Sequence, residues 1–173
     1  SYASTHDPLF RELKTLVSST HLMPKDLLPS CKTAIAYFLP FEESIVKSNI
    51  KGKYASKEWA LSYVETNNLI GEINKYLENK MEELGFQLAT VPATHNFDTE
   101  KLMSDWSHRH VAYIAGLGKF GLNNMFITEK GCCGRIGTVV TNIEIQPTQR
   151  SDKENCLYKH NKSCTRCVDR CVN

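Results

Sequence analysis

The chain has 173 residues, with 41% hydrophobic, 23% charged and 9% aromatic side chains, a composition that fits one folded domain with a small appended segment and excludes a disordered chain. Its 21 basic and 19 acidic residues leave a net charge of +2, too little to argue for a nucleic-acid or membrane partner by bulk electrostatics. No run of about 18 apolar residues and no basic start with an apolar signal core occurs, so the sequence predicts no membrane span, and its odd count of seven cysteines reads as reduced thiols and metal ligands in a cytoplasmic protein.

Asp7-Pro8 places a capping residue before a proline, and Leu9, Phe10, Leu13 and Leu16-Val17 follow at helical spacing, which predicts a first helix over 7–18. Thr33 to Leu39 is apolar on both faces, as a buried strand is. Phe41 to Tyr54 reads as a long loop. From Ser56 to Leu84 there is no proline, and Trp59, Tyr63, Ile70, Ile73, Leu77, Met81 and Leu84 recur every three or four residues until Gly85, which predicts one long helix. A strand over Phe86 to Val91, a polar loop over 93–104, a helix over Ser107 to Ala115 and strands over Met125 to Thr128 and Ile136 to Ile145 complete the pattern. This order predicts an α+β fold, a mixed sheet flanked by helices, over residues 1–147, with a boundary near Pro147.

Residues 148–173 hold Cys156, Cys164, Cys167 and Cys171. Cys164-x2-Cys167-x3-Cys171 reproduces the last three positions of the bacterial ferredoxin run, and Cys156 stands upstream in place of the first, at Asn161. Soft thiolates at this spacing predict a metal site at the start of a ferredoxin-like segment. Four readings stay open: Cys156, Cys164 and Cys167 on one iron–sulfur cluster with Cys171 on a second, all four thiols on a single cluster, structural zinc, or unliganded thiols.

Gly116-Leu117-Gly118-Lys119-Phe120-Gly121 matches G-x-G-x-x-G but follows a helix and precedes a strand, the reverse of a dinucleotide site. A helix C-cap accounts for Gly116; Gly121 and the Asn123-Asn124 pair suggest a loop that wraps a large cofactor.

The stretch from Ser107 to Leu122, with Phe126 to Gly131, Gly134 to Gly137, Val139 to Thr141 and the cysteine tail, resembles the epoxyqueuosine reductase family. The resemblance implies a nitroreductase-like cobalamin-binding core followed by a ferredoxin-like segment with four-iron clusters that feed electrons to the corrinoid. It implies that Gly116, Gly118, Gly121 and Asn123 lie against the corrinoid, that Cys156, Cys164, Cys167 and Cys171 are cluster ligands, and that Asp98, in Asp98-Thr99, is the proton donor. It implies an oxidoreductase acting on an RNA-borne (tRNA) or small-molecule substrate, with an electron donor protein such as ferredoxin or flavodoxin as partner.

The same core could instead hold FMN as a flavin-dependent reductase, or serve as a non-catalytic electron-transfer or metal-stabilised interaction module. As a proton donor Asp98 needs its pKa raised by burial. His108 and His110, two residues apart, face different sides of their helix, which predicts one buried histidine bonded to backbone and one solvated. Asp105 reads as a helix N-cap, Cys31 as a small core residue, and Cys132-Cys133 as turn residues.

Overall fold

The computed structural model describes residues 1–93 and 95–171; Thr94, within the segment read as loop, and Val172 and Asn173, at the end of the cysteine-rich segment, lie outside the described residues. The chain runs β1 (Tyr2–Ser4), α1 (Leu9–Leu16), α2 (Pro24–Leu27), β2 (Thr33–Pro40), α3 (Glu43–Ser48), α4 (Lys57–Glu83), β3 (Leu88–Thr90), α5 (His108–Ile114), β4 (Gly118–Phe120), β5 (Phe126–Thr128), β6 (Gly134–Thr141), α6 (Leu157–Asn161) and α7 (Arg166–Asp169).

β1, β2, β6 and β3 form a four-stranded sheet in that order, and β4 pairs with β5 as a separate hairpin. The fold is α+β as expected, but every pairing in the main sheet is antiparallel, which corrects the expected mixed sheet. The reason lies in the lane between β2 and β3. Both strands run antiparallel to β6, so they are parallel to each other, joined through α4 as an alternating strand–helix–strand sequence suggests. The last long strand then fills the gap between them. Ala34 faces Val140 and Ala36 faces Thr138 across the central pair.

Strand alternation sends the two faces of the sheet to different helices. Ala34, Ala36, Ile136 and Val140 pack with Phe10 and Leu13 of α1 and Val111, Ala112 and Ile114 of α5 in the main core. Tyr37 and Arg135 point to the opposite side, where α4 lies. Tyr37 Oη donates to Asn74 Oδ1 at 2.7 Å, and Arg135 Nε donates to Asn67 Oδ1 at 3.0 Å while its guanidinium stacks 4.1 Å above the Tyr63 ring. The long helix begins where Ser56 Oγ accepts from the Trp59 N–H, and it ends on Gly85 at φ +77°, with the Phe86 N–H returning to Met81 O.

Burial pushes the Tyr37 hydroxyl up to about 12, so it stays protonated and donating at neutral pH. Tyr37→Phe leaves buried Asn74 Oδ1 without this partner and is expected to cost about 1–2 kcal/mol, read as a lower urea midpoint at unchanged slope. No helix among the described residues is long and apolar enough to cross a membrane.

Candidate functional site

A cavity of about 500 Å³ opens at the start of α5, walled by Phe38, Phe97, Met103, Trp106, Met125 and Phe126, with His108, Arg109, His110, Arg135 and Cys132 supplying its polar groups. Trp106 is 2% exposed, and its indole N–H donates to Thr138 Oγ1 at 2.9 Å. The Thr138 hydroxyl is left to donate onward to His108 Nδ1 at 2.8 Å, while His108 Nε2 sits 3.0 Å from Pro92 O, which can only accept. His108 is therefore the neutral Nε2–H tautomer. Burial, ahead of the nearby Arg135 charge, holds its pKa below the ordinary histidine value.

His21 underlies the same corner, fully buried, with its ring 5.7 Å from Trp106. Its Nδ1–H donates to Leu22 O at 2.7 Å, and its Nε2 accepts the Ser107 N–H at 3.0 Å, so this histidine too is held neutral, its pKa lowered by burial. His110 Nδ1 pairs with Ser107 Oγ at 2.7 Å and its ring lies 4.8 Å from Phe120. The expected division holds only for the backbone bond: His108 is the member bonded to a backbone carbonyl, but both histidines are half-buried and neither is solvated. Asp105 is not the helix cap. Ser107 occupies that position, and the Asp105 carboxylate accepts from His95 Nδ1 at 2.5 Å and Asn96 Nδ2 at 2.8 Å, bracing the loop that closes the cavity.

Asp98 lies on this loop, paired antiparallel with Met103, whose O accepts the Asp98 N–H at 2.8 Å. Its carboxylate accepts the N–H groups of Lys101 (3.0 Å) and Glu100 (2.9 Å), which hold it below the usual carboxylate range. In this arrangement it is an ionised turn cap, the opposite of the raised pKa that proton donation demands.

The glycine loop has a local reason at each position, a positive φ at Gly116 and close packing at Gly118 and Gly121. Gly116 ends α5 at φ +73°, its N–H bonded to Tyr113 O and the Leu117 N–H to Ala112 O, and a Cβ there would meet the Gln149–Arg150 backbone at 3.5 Å. A Cβ on Gly118 would run into the Ile127 backbone of the partner strand, and one on Gly121 would lie 2.8 Å from Ile127 Cδ1. Asn123 Oδ1 accepts from the Met125 N–H at 3.2 Å, and Asn124 takes φ +60°, so the paired asparagines turn the β4–β5 hairpin. In the direction a Cβ would take, Gly116, Gly118 and Gly121 each face protein atoms. Gly116 and Gly118 do border a second cavity of about 600 Å³, shared with Lys130 and residues 148–153.

The cysteine segment is laid along this hairpin. Lys119 Nζ donates to Asp152 O, Asn155 Nδ2 to Ile127 O and Lys159 Nζ to Phe120 O, at 2.8, 2.9 and 2.8 Å, while Arg150 pairs with Asp7 at 2.6 Å. Cys156 precedes α6, and the N–H groups of Lys159, Leu122 and Tyr158 stabilise its thiolate and lower its pKa. Cys167 lies within α7, Cys164 before it and Cys171 after it. The donors have the right chemistry for an iron–sulfur cluster, but they are not gathered: among the described residues no three His, Cys, Asp or Glu side chains converge on a metal position.

His21, Trp106 and Thr138 carry the cavity's hydrogen-bond frame, and sequence reading passed over all three. Only Trp106, an aromatic just ahead of a helix, left any local signal.

No family model matches the sequence, and no curated protein matches it. Solved structures do. Epoxyqueuosine reductase from Streptococcus thermophilus superposes with a TM-score of 0.62 at 23% identity, covering 98% of this chain and 47% of its own. The fold is that of the epoxyqueuosine reductases. The Bacillus subtilis enzyme, in a structure whose catalytic loop is swung out of the active site, gives 0.58 at 22% identity over 98% of this chain and 46% of its own. An epoxyqueuosine reductase with a modified tRNA-Tyr stem loop gives 0.60 at 23% identity, with the same coverage. The likeness is one of fold, and the chain spans just under half the length of each of these reductases.

Proposed function

We propose that this chain is the cofactor-binding part of a cytoplasmic oxidoreductase of the epoxyqueuosine reductase type, acting on an RNA-borne substrate. The observation that carries the reading is the superposition on epoxyqueuosine reductases along 98% of the chain, cysteine segment included. Charge supports the substrate class. Residues 148–173 hold six basic and three acidic side chains, so the +2 excess of the whole chain lies within the segment packed on the hairpin, where a polyanion would meet it.

The reaction site in this reading is the cavity at the start of α5. A bound corrinoid would supply a metal centre able to deliver electrons to the substrate. Trp106, Phe38 and Phe126 offer it apolar walls that exclude water, and Arg109 and Arg135 offer positive charge. His108, with both nitrogens committed, positions the wall and moves no proton. Asp98 lies on the loop whose Phe97 and Met103 line the cavity; to act as an acid it must give up the Glu100 and Lys101 N–H groups and enter the cavity, where desolvation raises its pKa. The four tail thiols would take iron–sulfur clusters fed by a ferredoxin or flavodoxin. Among the described residues they are not gathered at one position.

The test is titration of the anaerobically purified protein with cobalamin and, separately, FMN. A base-off cobalamin spectrum that saturates supports the reading; saturable FMN binding with no cobalamin response replaces it with a flavin reductase. Asp98→Asn is expected to leave cobalamin affinity within about twofold of the parent and the urea midpoint unchanged, since the side chain caps an exposed turn, while lowering turnover by about 100-fold or more. Unchanged turnover would remove Asp98 from the chemistry.

A further inference from the structure

Cys132 and Cys133 belong to neither the cluster segment nor the hydrogen-bond frame of the cavity. They occupy the β5–β6 connection between Gly131, at φ +89°, and Gly134, and the Cys133 carbonyl is fixed by the Phe41 N–H at 2.9 Å. The two cysteines are neighbours in the chain, so their side chains leave adjacent residues of the same turn. Cys132 is exposed and lines the cavity at the start of α5; Cys133 is half-buried behind it.

We propose that Cys132 and Cys133 form a vicinal dithiol that undergoes thiol–disulfide exchange with small disulfides at the cavity rim and closes to a Cys132–Cys133 disulfide. The roles follow from placement. Cys132 is exposed and lines the cavity, where a small disulfide can reach it, so it attacks. Burial, together with the Cys132 thiol beside it, pushes the Cys133 thiol up and keeps it protonated until the second step.

In the first step the Cys132 thiolate bonds to one sulfur of a small disulfide such as glutathione disulfide and expels the other half as a thiolate. In the second, Cys133 loses its proton to water, attacks Cys132 Sγ and expels the second half. The two cysteines give up two electrons and two protons, and the disulfide is reduced to two thiols.

Adjacent Cα atoms stand about 3.8 Å apart across a trans peptide. Relaxed disulfides separate them by roughly 4.4–6.8 Å. The closed pair is strained and is therefore easily reduced, which suits a reversible modification at the cavity mouth. This chemistry is independent of which cofactor occupies the cavity.

Trypsin isolates the pair, because Lys130 and Arg135 bracket a peptide with Cys132 and Cys133 as its two thiols, apart from every tail cysteine. The intact protein is incubated with glutathione disulfide, alkylated with N-ethylmaleimide without reductant, digested and weighed. The expected product is an unalkylated 131–135 peptide two hydrogen masses lighter than the dithiol, restored to the doubly alkylated form by prior dithiothreitol. A doubly alkylated peptide after incubation, or a persistent glutathione adduct, overturns the proposal. Cys133→Ser is expected to hold glutathione on Cys132 as a stable adduct; no adduct would overturn the assignment of Cys132 as the attacking thiol.

Discussion

Gly118→Ala is expected to destabilise the ligand-free protein by about 2–3 kcal/mol, seen as a lower urea midpoint, because the new methyl group meets backbone rather than solvent. It would lie 2.9 Å from the Ile127 carbonyl carbon, closer still to its oxygen, and 3.1 Å from the Phe126 ring. Neither neighbour has room to give: Ile127 pairs with Lys119 in the hairpin, and Phe126 is 3% exposed in the core. The hairpin carries the cysteine segment through Asn155 and Lys159, so its loosening is expected to reach that segment as well.

Gly71, within α4 and with nothing inside 4 Å of its would-be Cβ, is the control; Gly71→Ala is expected to stabilise by about 0.5–1 kcal/mol through helix propensity. The resemblance assigned Gly118 to a corrinoid surface. If Gly118→Ala left the urea midpoint unchanged and weakened cobalamin binding alone, the glycine would be serving the cofactor and the packing account would fail.

Gly118 also marks where the sequence stops being legible. Its G-x-G-x-x-G pattern is local, but the reason for it is a strand contributed eight to ten residues later, and no local pattern distinguishes close approach to protein from close approach to a ligand. The elements that could be read, β2, α4, α5 and β6, are long enough to show a period, and the observed bounds of α4, Lys57–Glu83, lie within a residue of those its spacing predicts. β1 and β4 have three residues each and show none. The antiparallel order escaped for a related reason: periodicity identifies strands, but it does not say which strand fills the lane between β2 and β3. Asp105 and His21 were misread or missed because their partners, His95, Asn96 and the Ser107 N–H, come together only when the 95–107 loop folds over the sheet.

That same loop makes the protein acid-sensitive above the range in which carboxylates titrate. His21 must be unprotonated at Nε2 to accept the Ser107 N–H, and His108 must be unprotonated at Nδ1 to accept from Thr138. Burial lowers the pKa of both below the ordinary value of 6.5. In the unfolded chain each takes up a proton near 6.5, while the folded chain does not until a lower pH. The unfolded state therefore binds more protons as pH falls from about 6.5, and the stability of the fold falls with it, whereas above that pH these groups contribute no pH dependence. Each histidine contributes at most about 1.4 kcal/mol per pH unit in this window, and the pair about 2.7. His110, lowered in the same direction by burial and Arg109, reinforces the trend. Urea midpoints measured between about pH 7.5 and 5.5 are expected to drop steeply below pH 6.5. His108→Gln, which keeps an amide acceptor and donor but cannot titrate, is expected to flatten the slope by up to about 1.4 kcal/mol per pH unit while lowering stability at pH 7.5. An equally steep slope in that variant would mean that His108 takes up its proton at the same pH in the folded and unfolded chain, and the burial-lowered pKa assigned to it would be wrong.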